Sequence, residues 1–187
     1  MDFQKVIEKR ASVRRFSTKK PPIEKVIELL EASNLAPSSG NMAIVKYIIV
    51  EKPDSIQKIA QACQQEFISQ SPFVVVICSD SKNVDRAYDK RAATYIKHHV
   101  GAVVENFLLK ATNEGLASCW IGAFSEETIR NLLKIPDDIN LEVILPVGYR
   151  PAFDKTIQRP KRSVYERVYF ESWKNKMKYP YKKIGEH

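Results

Sequence analysis

The chain has 187 residues, of which 44% are hydrophobic and 28% are charged. This composition predicts a packed globular protein and argues against disorder, and we expect residues 1–187 to form a single domain. No apolar run approaches the roughly 20 residues that span a bilayer, and charged residues at the N-terminus argue against a signal peptide. We therefore expect a cytoplasmic protein that does not bind a membrane.

The net charge of +8 is concentrated at the C-terminal end. Residues 151–187 carry ten Lys or Arg against four acidic residues, a net +6. A basic surface attracts phosphate cofactors, acidic partners and nucleic acid, and charge alone does not choose among them. Because this segment shows little helical periodicity, we interpret it as an extended basic arm in which residues 164–169 are a candidate strand.

The spacing of apolar residues predicts helices alternating with strands around one sheet, an α+β or α/β fold. Helices are expected, in chain order, over residues 3–10, 23–35, 53–67, 92–114 and 126–133. Strands are expected over residues 45–50, 73–78, 116–121 and 141–147. Pro146 is expected to interrupt the last strand, and residues 82–91 are expected to be polar surface. The second helix has an apolar stripe formed by Ile23, Val26, Ile27, Leu30 and Leu35.

Metal and nucleotide-loop chemistry find no support in the sequence. Cys63, Cys78 and Cys119 lie far apart without a C-x-x-C pair, so we expect buried reduced thiols and no metal. His98 and His99 are neighbours on a helix and point about 100° apart, which predicts one packed and one exposed imidazole. The glycines are not spaced as G-x-G-x-x-G or as a P-loop, which argues against both nucleotide-binding motifs.

The first segment of chemical interest follows the first predicted helix. Arg10, Ser12 and Arg14 alternate with period two, so in an extended loop their side chains point the same way. Guanidinium groups and a hydroxyl suit phosphate oxygens, and Val13 and Phe16 would anchor the loop to the core. From spacing alone, a plain solvated basic loop is the better interpretation.

Two further segments are weak signals when taken singly. Residues 36–41 form a loop of small polar residues that would allow a flat polar ring to approach closely. Residues 115–124 form a buried strand that ends in a glycine turn, where backbone amides could face a ligand. An ordinary loop and an ordinary core strand explain them equally well.

Together, these three segments resemble the nitroreductase family of FMN enzymes. The matching motifs are R-x-S-x-R-x-F near the start, A-P-S-x-x-N after the second helix, and G-L-x-S-C-W-I-G-x-F in the second half. The motifs L-L-K-I-P and I-L-P-V-G-Y follow, and then K-R ahead of V-Y-E. The resemblance covers about residues 3–172, and its specificity comes from the joint occurrence of the motifs in this order.

The resemblance implies a central mixed sheet flanked by helices, in an interlocked homodimer that exchanges its C-terminal arms. It implies bound FMN at the subunit interface, held by Arg10, Ala11, Ser12, Arg14, Pro37, Ser38, Ser39, Asn41, Ile121, Gly122, Lys161 and Arg162. Arg10, Ser12 and Arg14 would hold the phosphate and ribityl chain, and Lys161 or Arg162 would close over the phosphate. The segment from Pro37 to Asn41 would come from the partner chain.

The implied reaction is hydride transfer from NADH or NADPH through FMN to a small acceptor such as a nitroaromatic or a quinone. The flavin carries this chemistry, so no side chain is assigned a catalytic role. Cys119 is interpreted as a core residue and not as a nucleophile.

Two departures from the family pattern concern the acceptor. Ala43, Ile44 and Val45 stand where relatives often carry Q-P-W, and His99 stands where an acid is frequent. These changes leave open a dedicated biosynthetic, dehalogenating or dehydrogenating flavoenzyme. A nucleic-acid binder that uses the basic arm is the remote alternative.

Overall fold

A computed structural model of the chain describes residues 1–157, 160 and 163–176. Its helices are α1 (Phe3–Lys9), α2 (Ile23–Asn34), α3 (Pro53–Ala62), α4 (Lys82–Tyr88), α5 (Ala92–Asn113) and α6 (Glu126–Leu133). Its strands are β1 (Val45–Val50), β2 (Phe73–Ser79), β3 (Leu116–Ser118) and β4 (Asn140–Tyr149). Short 3-10 turns lie at Ser39–Asn41, Glu66–Gln70, Asp89–Arg91 and Val164–Glu166.

The four strands form one sheet in the order β1-β2-β4-β3, with helices packed on both faces. The predicted α+β class and helix-flanked sheet are thus confirmed. The expectation of a mixed sheet needs correction, since every strand pair in the described part of the chain is antiparallel. The parallel contact recorded there is a single bridge between Ser12 and Ser118. Val50 pairs with Val74, so the chain leaves β1 and enters β2 at the same end of the sheet.

The sheet separates two apolar clusters because side chains alternate between the faces of a strand. Val75 and Ile77 of β2 point toward α2 and α5, whereas Val74 and Val76 point toward α3 and α6. All of β2 is buried, which confirms the prediction that this apolar strand is covered on both faces.

Helix α5 is the longest element, with 22 residues. It ends at Asn113, and Gly115 follows in the left-handed conformation with φ 72°, as expected for a glycine after a helix. Glu142 of β4 ties α5 to the sheet. Its carboxylate accepts a hydrogen bond from the Ser79 hydroxyl at 2.7 Å and pairs with Lys97 of α5 at 2.5 Å. This pairing satisfies a carboxylate that is almost wholly buried.

The third and fourth strands differ from their predicted form. β3 ends at Ser118, although Ile121 still exchanges two 3.0 Å backbone hydrogen bonds with Ile144 of β4. Pro146 does not interrupt β4, contrary to the prediction. Because Ile144 donates toward Ile121, the nitrogen of Pro146 two residues later faces the same side. Opposite Pro146, residues 119–120 of the neighbouring segment are not paired with β4. The missing N–H of Pro146 therefore costs no hydrogen bond.

The apolar stripe predicted for α2 is only partly buried. Val26 and Leu29 face the core, whereas Ile23, Ile27 and Leu35 are exposed. Leu29 was absent from the predicted stripe. The helix therefore presents two apolar faces, one toward the core of this chain and one outward.

Three other segments also differ from expectation. The helix predicted over residues 53–67 stops early, because Gln64 takes a positive φ of 52° before a 3-10 turn. Residues 82–91, expected to be polar surface, are largely exposed but contain α4, which buries Val84. Residues 164–169 contain a 3-10 turn and no strand. None of the described helices combines the length and apolar character needed to cross a membrane.

The burial of β2 leads to a stability prediction. Val76→Ala should lower the free energy of unfolding by about 2 kcal/mol, because it removes two methyl groups from a fully buried site and leaves a cavity. Val164→Ala, the same change at an exposed valine, should stay within about 0.5 kcal/mol. Urea unfolding followed by circular dichroism measures both, and equal losses would contradict the described core.

Candidate functional site

The loop after α1 runs beside the end of β3. Ser12 and Ser118 form a parallel bridge, and the Val13 N–H donates to the Ser118 carbonyl at 3.0 Å. Further on, the Ser17 N–H donates to the Tyr149 carbonyl at 2.8 Å. These bonds attach the loop to the sheet, and they bring the first predicted segment next to the third.

The charged groups of this loop gather around Cys119. Burial raises the pKa of the Cys119 thiol, and the charges of Arg14 and Arg10 and a hydrogen bond with Ser12 partly oppose that rise. Arg10 also lies 3.8 Å from the Glu105 carboxylate of α5, while Arg14 is exposed. The alternating residues Arg10, Ser12 and Arg14 therefore occupy one neighbourhood, where two guanidinium groups and a hydroxyl suit an anion.

A cavity of about 530 Å³ opens beside this neighbourhood. Its walls include Arg10 and Ala11 from the loop, Ser118 from β3, and Arg150 just after β4. The Ser118 hydroxyl is buried and has no hydrogen-bond partner in the described part of the protein. A buried polar group without a partner is costly, so this hydroxyl favours a polar ligand in the cavity. Ser12 and Arg14 do not line it.

Ile121 and Gly122 follow the end of β3. Ile121 is buried and held by its pairing with β4, whereas Gly122 is exposed. A Cβ atom built on Gly122 would meet nothing closer than the Trp120 indole nitrogen at 4.0 Å. The backbone at Gly122 is therefore open to a ligand that approaches from solvent.

The second predicted segment lies elsewhere in this chain. Ser39–Asn41 form a 3-10 turn in which Gly40 and Asn41 both take positive φ, at 59° and 56°. Tyr88 covers this turn, since its hydroxyl lies 2.8 Å from the position a Gly40 Cβ would occupy. Pro37 is exposed, and Ser38 and Ser39 are half-buried.

The separation of the first and second segments can be read along α5. Arg10 lies beside Glu105, and Tyr88 at the second segment packs edge to face against Tyr95 near the start of the helix. Tyr95 and Glu105 are about 15 Å apart along the helix axis. Within one chain, the structure therefore brings the first and third segments together but not the second. Lys161 and Arg162 lie outside the described residues.

The model of the nitroreductase family matches residues 7–69 and 59–149, which is most of the chain. The chain belongs to the nitroreductase family.

Individual relatives agree with this membership. An Archaeoglobus fulgidus protein, whose name proposes an NADH dehydrogenase or NAD(P)H nitroreductase, is 28% identical over 90% of this chain and 97% of its own. The iodotyrosine deiodinase of Thermotoga neapolitana is 27% identical over 75% of this chain and 84% of its own. The structure of an FMN-dependent nitroreductase from Clostridium difficile R20291 has the same fold, with a TM-score of 0.76, 24% identity, and coverage of 90% and 98%.

At the positions where nitroreductases often carry Q-P-W, the structure places small or buried side chains. Ala43 is exposed, Ile44 is buried in the core, and Val45 begins β1. The backbone of Ile44 is held by a hydrogen bond, since its carbonyl accepts from the Asp80 N–H at 2.9 Å. The surface beside Asn41 therefore lacks the aromatic wall that a tryptophan would form.

The structure also places side chains at the second segment that the sequence did not bring to notice. Tyr88, Arg91 and Tyr95 gather against the Gly40 turn, within and beside the stretch expected to be plain polar surface. Two tyrosines seven residues apart with an arginine between them gave the available sequence signal. This signal does not predict the contact, because the contact depends on the interruption of the helix between α4 and α5.

The histidines and cysteines match their predicted roles. His99 is buried, with an unpartnered Nδ1 and a pKa that burial lowers, while His98 is exposed. Cys63, Cys78 and Cys119 are buried free thiols. Among the described residues, no cluster of potential ligands could hold a metal ion.

Burial of the cysteines predicts unreactive thiols. Burial raises the pKa of Cys63 and of Cys78 to about 11, from an ordinary value near 9, and raises that of Cys119. The native protein should therefore react with almost no Ellman reagent at pH 8, and with three equivalents in denaturant. Because the raised pKa favours the neutral thiol in the folded state, stability should fall as pH rises from about 9 to 11. Fast labelling of Cys119 in the native protein, located by mass spectrometry of the modified peptide, would contradict its core role.

Proposed function

We propose that this nitroreductase-family chain is an FMN-dependent NAD(P)H oxidoreductase of the cytoplasm that reduces a small acceptor such as a nitroaromatic or a quinone. The observation that carries the proposal is the pairing of the Ser12 loop with Ser118. This pairing holds Arg10 and Arg14 near Cys119, which precedes the open Ile121–Gly122 turn by two residues, so we place an anion-binding group and an open backbone in one site. The activities named for the relatives support the proposal, but they were assigned to those proteins and not to this chain.

The residues present fit a flavin mononucleotide. Its phosphate needs cationic and hydroxyl donors, and Arg10, Ser12 and Arg14 supply them within one neighbourhood. The unpartnered Ser118 hydroxyl and the adjoining cavity add a polar site without a ligand of its own. Lys161 and Arg162 would complete the charge around the phosphate, in keeping with the family motif.

Ile121 and Gly122 would meet the reactive edge of the flavin ring with backbone groups. When bound, FMN supplies hydride and electron transfer between donor and acceptor. The chain orients the ring, and its cationic residues stabilise negative charge that builds up nearby. Cys119 takes no part, because burial keeps its thiol neutral. The exposed surface beside Gly122 leaves space for NAD(P)H and the acceptor to bind in turn.

We propose further that two copies of the chain build each site. Pro37, Ser38, Ser39 and Asn41 lie near Tyr88 and the start of α5, about 15 Å along the helix from the residues beside Arg10, and we assign them to the flavin of the partner subunit. Exposed apolar side chains on neighbouring helices support a second copy as the cover for this surface. They are Phe3 and Ile7 of α1, Ile23 and Ile27 of α2, and Leu35.

The free edge of the sheet supports arm exchange in this homodimer. β1 pairs only with β2 among the described strands, so its outer backbone groups are open to another strand. Residues 151–187 form the basic end of what we propose is a single domain. Their described part buries few large apolar side chains, since Phe153, Ile157 and Trp173 are exposed. A partner subunit would bury them.

A second candidate is a dedicated flavoenzyme, such as a dehalogenase, built on the same fold. Two observations favour it: Val45 stands where a tryptophan is frequent, so the acceptor side lacks that aromatic wall, and a relative carries the name iodotyrosine deiodinase. The two functions differ in a simple measurement. A general oxidoreductase oxidises NAD(P)H rapidly with many acceptors, whereas a dedicated enzyme shows slow oxidation until its own substrate is supplied.

The phosphate assignment predicts a specific loss of cofactor. Arg14→Ala should raise the dissociation constant for FMN by about tenfold or more, because it removes a charge-assisted hydrogen bond. Arg15→Ala is the matched control, since this neighbouring exposed arginine is expected to point away in an extended loop. Titration of apoprotein into FMN, followed by flavin fluorescence, measures both. Equal affinities with an unchanged circular dichroism spectrum would place the phosphate elsewhere.

The shared site predicts complementation between two defective chains. Arg14→Ala impairs one half of the site, and Asn41→Gly impairs the other while tolerating the positive φ at this position. Both homodimers should bind FMN weakly. Mixed dimers, purified through two different tags after co-expression, should bind one FMN per dimer with wild-type affinity, because one of their two sites carries neither change.

A site built within one chain makes a different forecast for the same experiment. Every site in the mixed dimer would then carry one defect, and no tightly bound FMN would be recovered. That result would refute the assignment of the Pro37–Asn41 segment to the partner's flavin.

A further inference from the structure

The start of α5 carries a small cluster formed by Tyr88, Arg91 and Tyr95. The rings of Tyr88 and Tyr95 pack edge to face, with centroids 5.0 Å apart and planes at 89°. The Arg91 Nε donates to the Tyr95 hydroxyl at 3.0 Å, and its guanidinium carbon lies 5.2 Å from the centre of that ring. Two aromatic side chains and one cation thus form a single surface.

This cluster lies directly against the second segment. The Tyr88 hydroxyl lies 2.8 Å from where a Cβ of Gly40 would be, so only glycine leaves room for it. Gly40 and Asn41 belong to the turn that we assign to the partner's flavin. The cluster therefore borders the space in which an acceptor would meet the flavin ring.

The local backbone is bent to form the cluster. Tyr88 ends α4, Arg91 ends the 3-10 turn that follows, and Tyr95 lies in the first turn of α5. Asp89, between them, takes φ 42° and ψ −120°, a conformation that costs a non-glycine residue of the order of 1–3 kcal/mol. In one continuous helix Tyr88 and Tyr95 would be about 10 Å apart along the axis. The strained residue brings their rings together.

The guanidinium of Arg91 has terminal nitrogens that can bind an anion. In the part of the chain that the structure describes, no carboxylate lies within ion-pair distance of it, and its recorded hydrogen bond uses Nε alone. Arg91 is exposed, and among the described residues no hydrogen bond is recorded for its two terminal nitrogens. A planar fork of this kind suits a carboxylate or a phenolate oxygen.

We propose that Tyr88, Arg91 and Tyr95 select an aromatic acceptor that carries an anionic group, with its ring against the tyrosines and its anion on Arg91. Val45, which stands where a tryptophan is frequent in the family, has a much smaller side chain than an indole and leaves space for such a ring. This inference rests on the proposed function, since it takes the Pro37–Asn41 segment to border a flavin.

The experiment compares two nitroaromatics that differ in charge, 4-nitrobenzoate and 4-nitrobenzyl alcohol. Calorimetry gives their dissociation constants with the oxidised FMN-loaded dimer, without turnover. Arg91→Gln should raise the dissociation constant of 4-nitrobenzoate about tenfold, as expected for loss of a charge-assisted pair. It should change the dissociation constant of 4-nitrobenzyl alcohol less than about twofold. Arg91→Lys should recover part of the affinity for the anion, because it restores the charge without the fork.

The matched control is Arg86→Gln, which removes the same charge from α4 at an exposed position outside the cluster. It should leave both dissociation constants within about twofold. Tyr95→Phe should weaken binding of 4-nitrobenzoate less than Arg91→Gln does, because the ring stays and only the hydroxyl that holds Arg91 is lost.

Equal effects of Arg91→Gln on both compounds, or an equal effect of Arg86→Gln on the anion, would overturn the proposed selectivity. A failure of the proposed function looks different. Wild-type protein would then take up no FMN, and the inference would fall with it. If wild-type protein binds FMN and oxidises NAD(P)H but Arg91→Gln changes neither dissociation constant, only the inference fails.

Discussion

The site depends on one backbone interaction, the hydrogen bond from the Val13 N–H to the Ser118 carbonyl. β3 is short and lies at the edge of the sheet, so its outer backbone groups need a partner. The loop after α1 supplies that partner through the Ser12–Ser118 bridge. Backbone pairing and the buried side chains of Val13 and Phe16 fix the loop, and Arg14 stays exposed, where it can face an anion.

The length of α5 sets the second constraint. A straight helix keeps its two ends apart, so groups attached near Glu105 and near Tyr95 cannot meet within one chain. In the proposed function, a flavin that contacts both groups lies between two chains related by symmetry. The exposed apolar side chains Phe3, Ile23 and Ile27 then have a physical reason to be outward, since a second copy would remove them from water.

Most elements could be predicted because burial inside the chain leaves a periodic pattern in sequence. The apolar run of β2 and the long helix α5 are examples. The predicted stripe of α2 was partly wrong because Ile23 and Ile27 are apolar but do not face the core of this chain. Periodicity does not show whether a residue is buried by its own chain or by a partner. The continuity of β4 through Pro146 was also hidden, because it depends on where the neighbouring strand leaves the ladder.

The site divides in the same way between what sequence shows and what it hides. The proposed phosphate side is a local motif, Arg10 to Arg14, whose spacing is preserved when the loop lies extended. The proposed acceptor side depends on Tyr88, Arg91 and Tyr95, whose rings meet because Asp89 takes a strained conformation. Strain of this kind persists only when surrounding packing holds it, and sequence alone does not reveal it. The proposed cofactor side can therefore be predicted from sequence, whereas the proposed acceptor side emerges only from the folded chain.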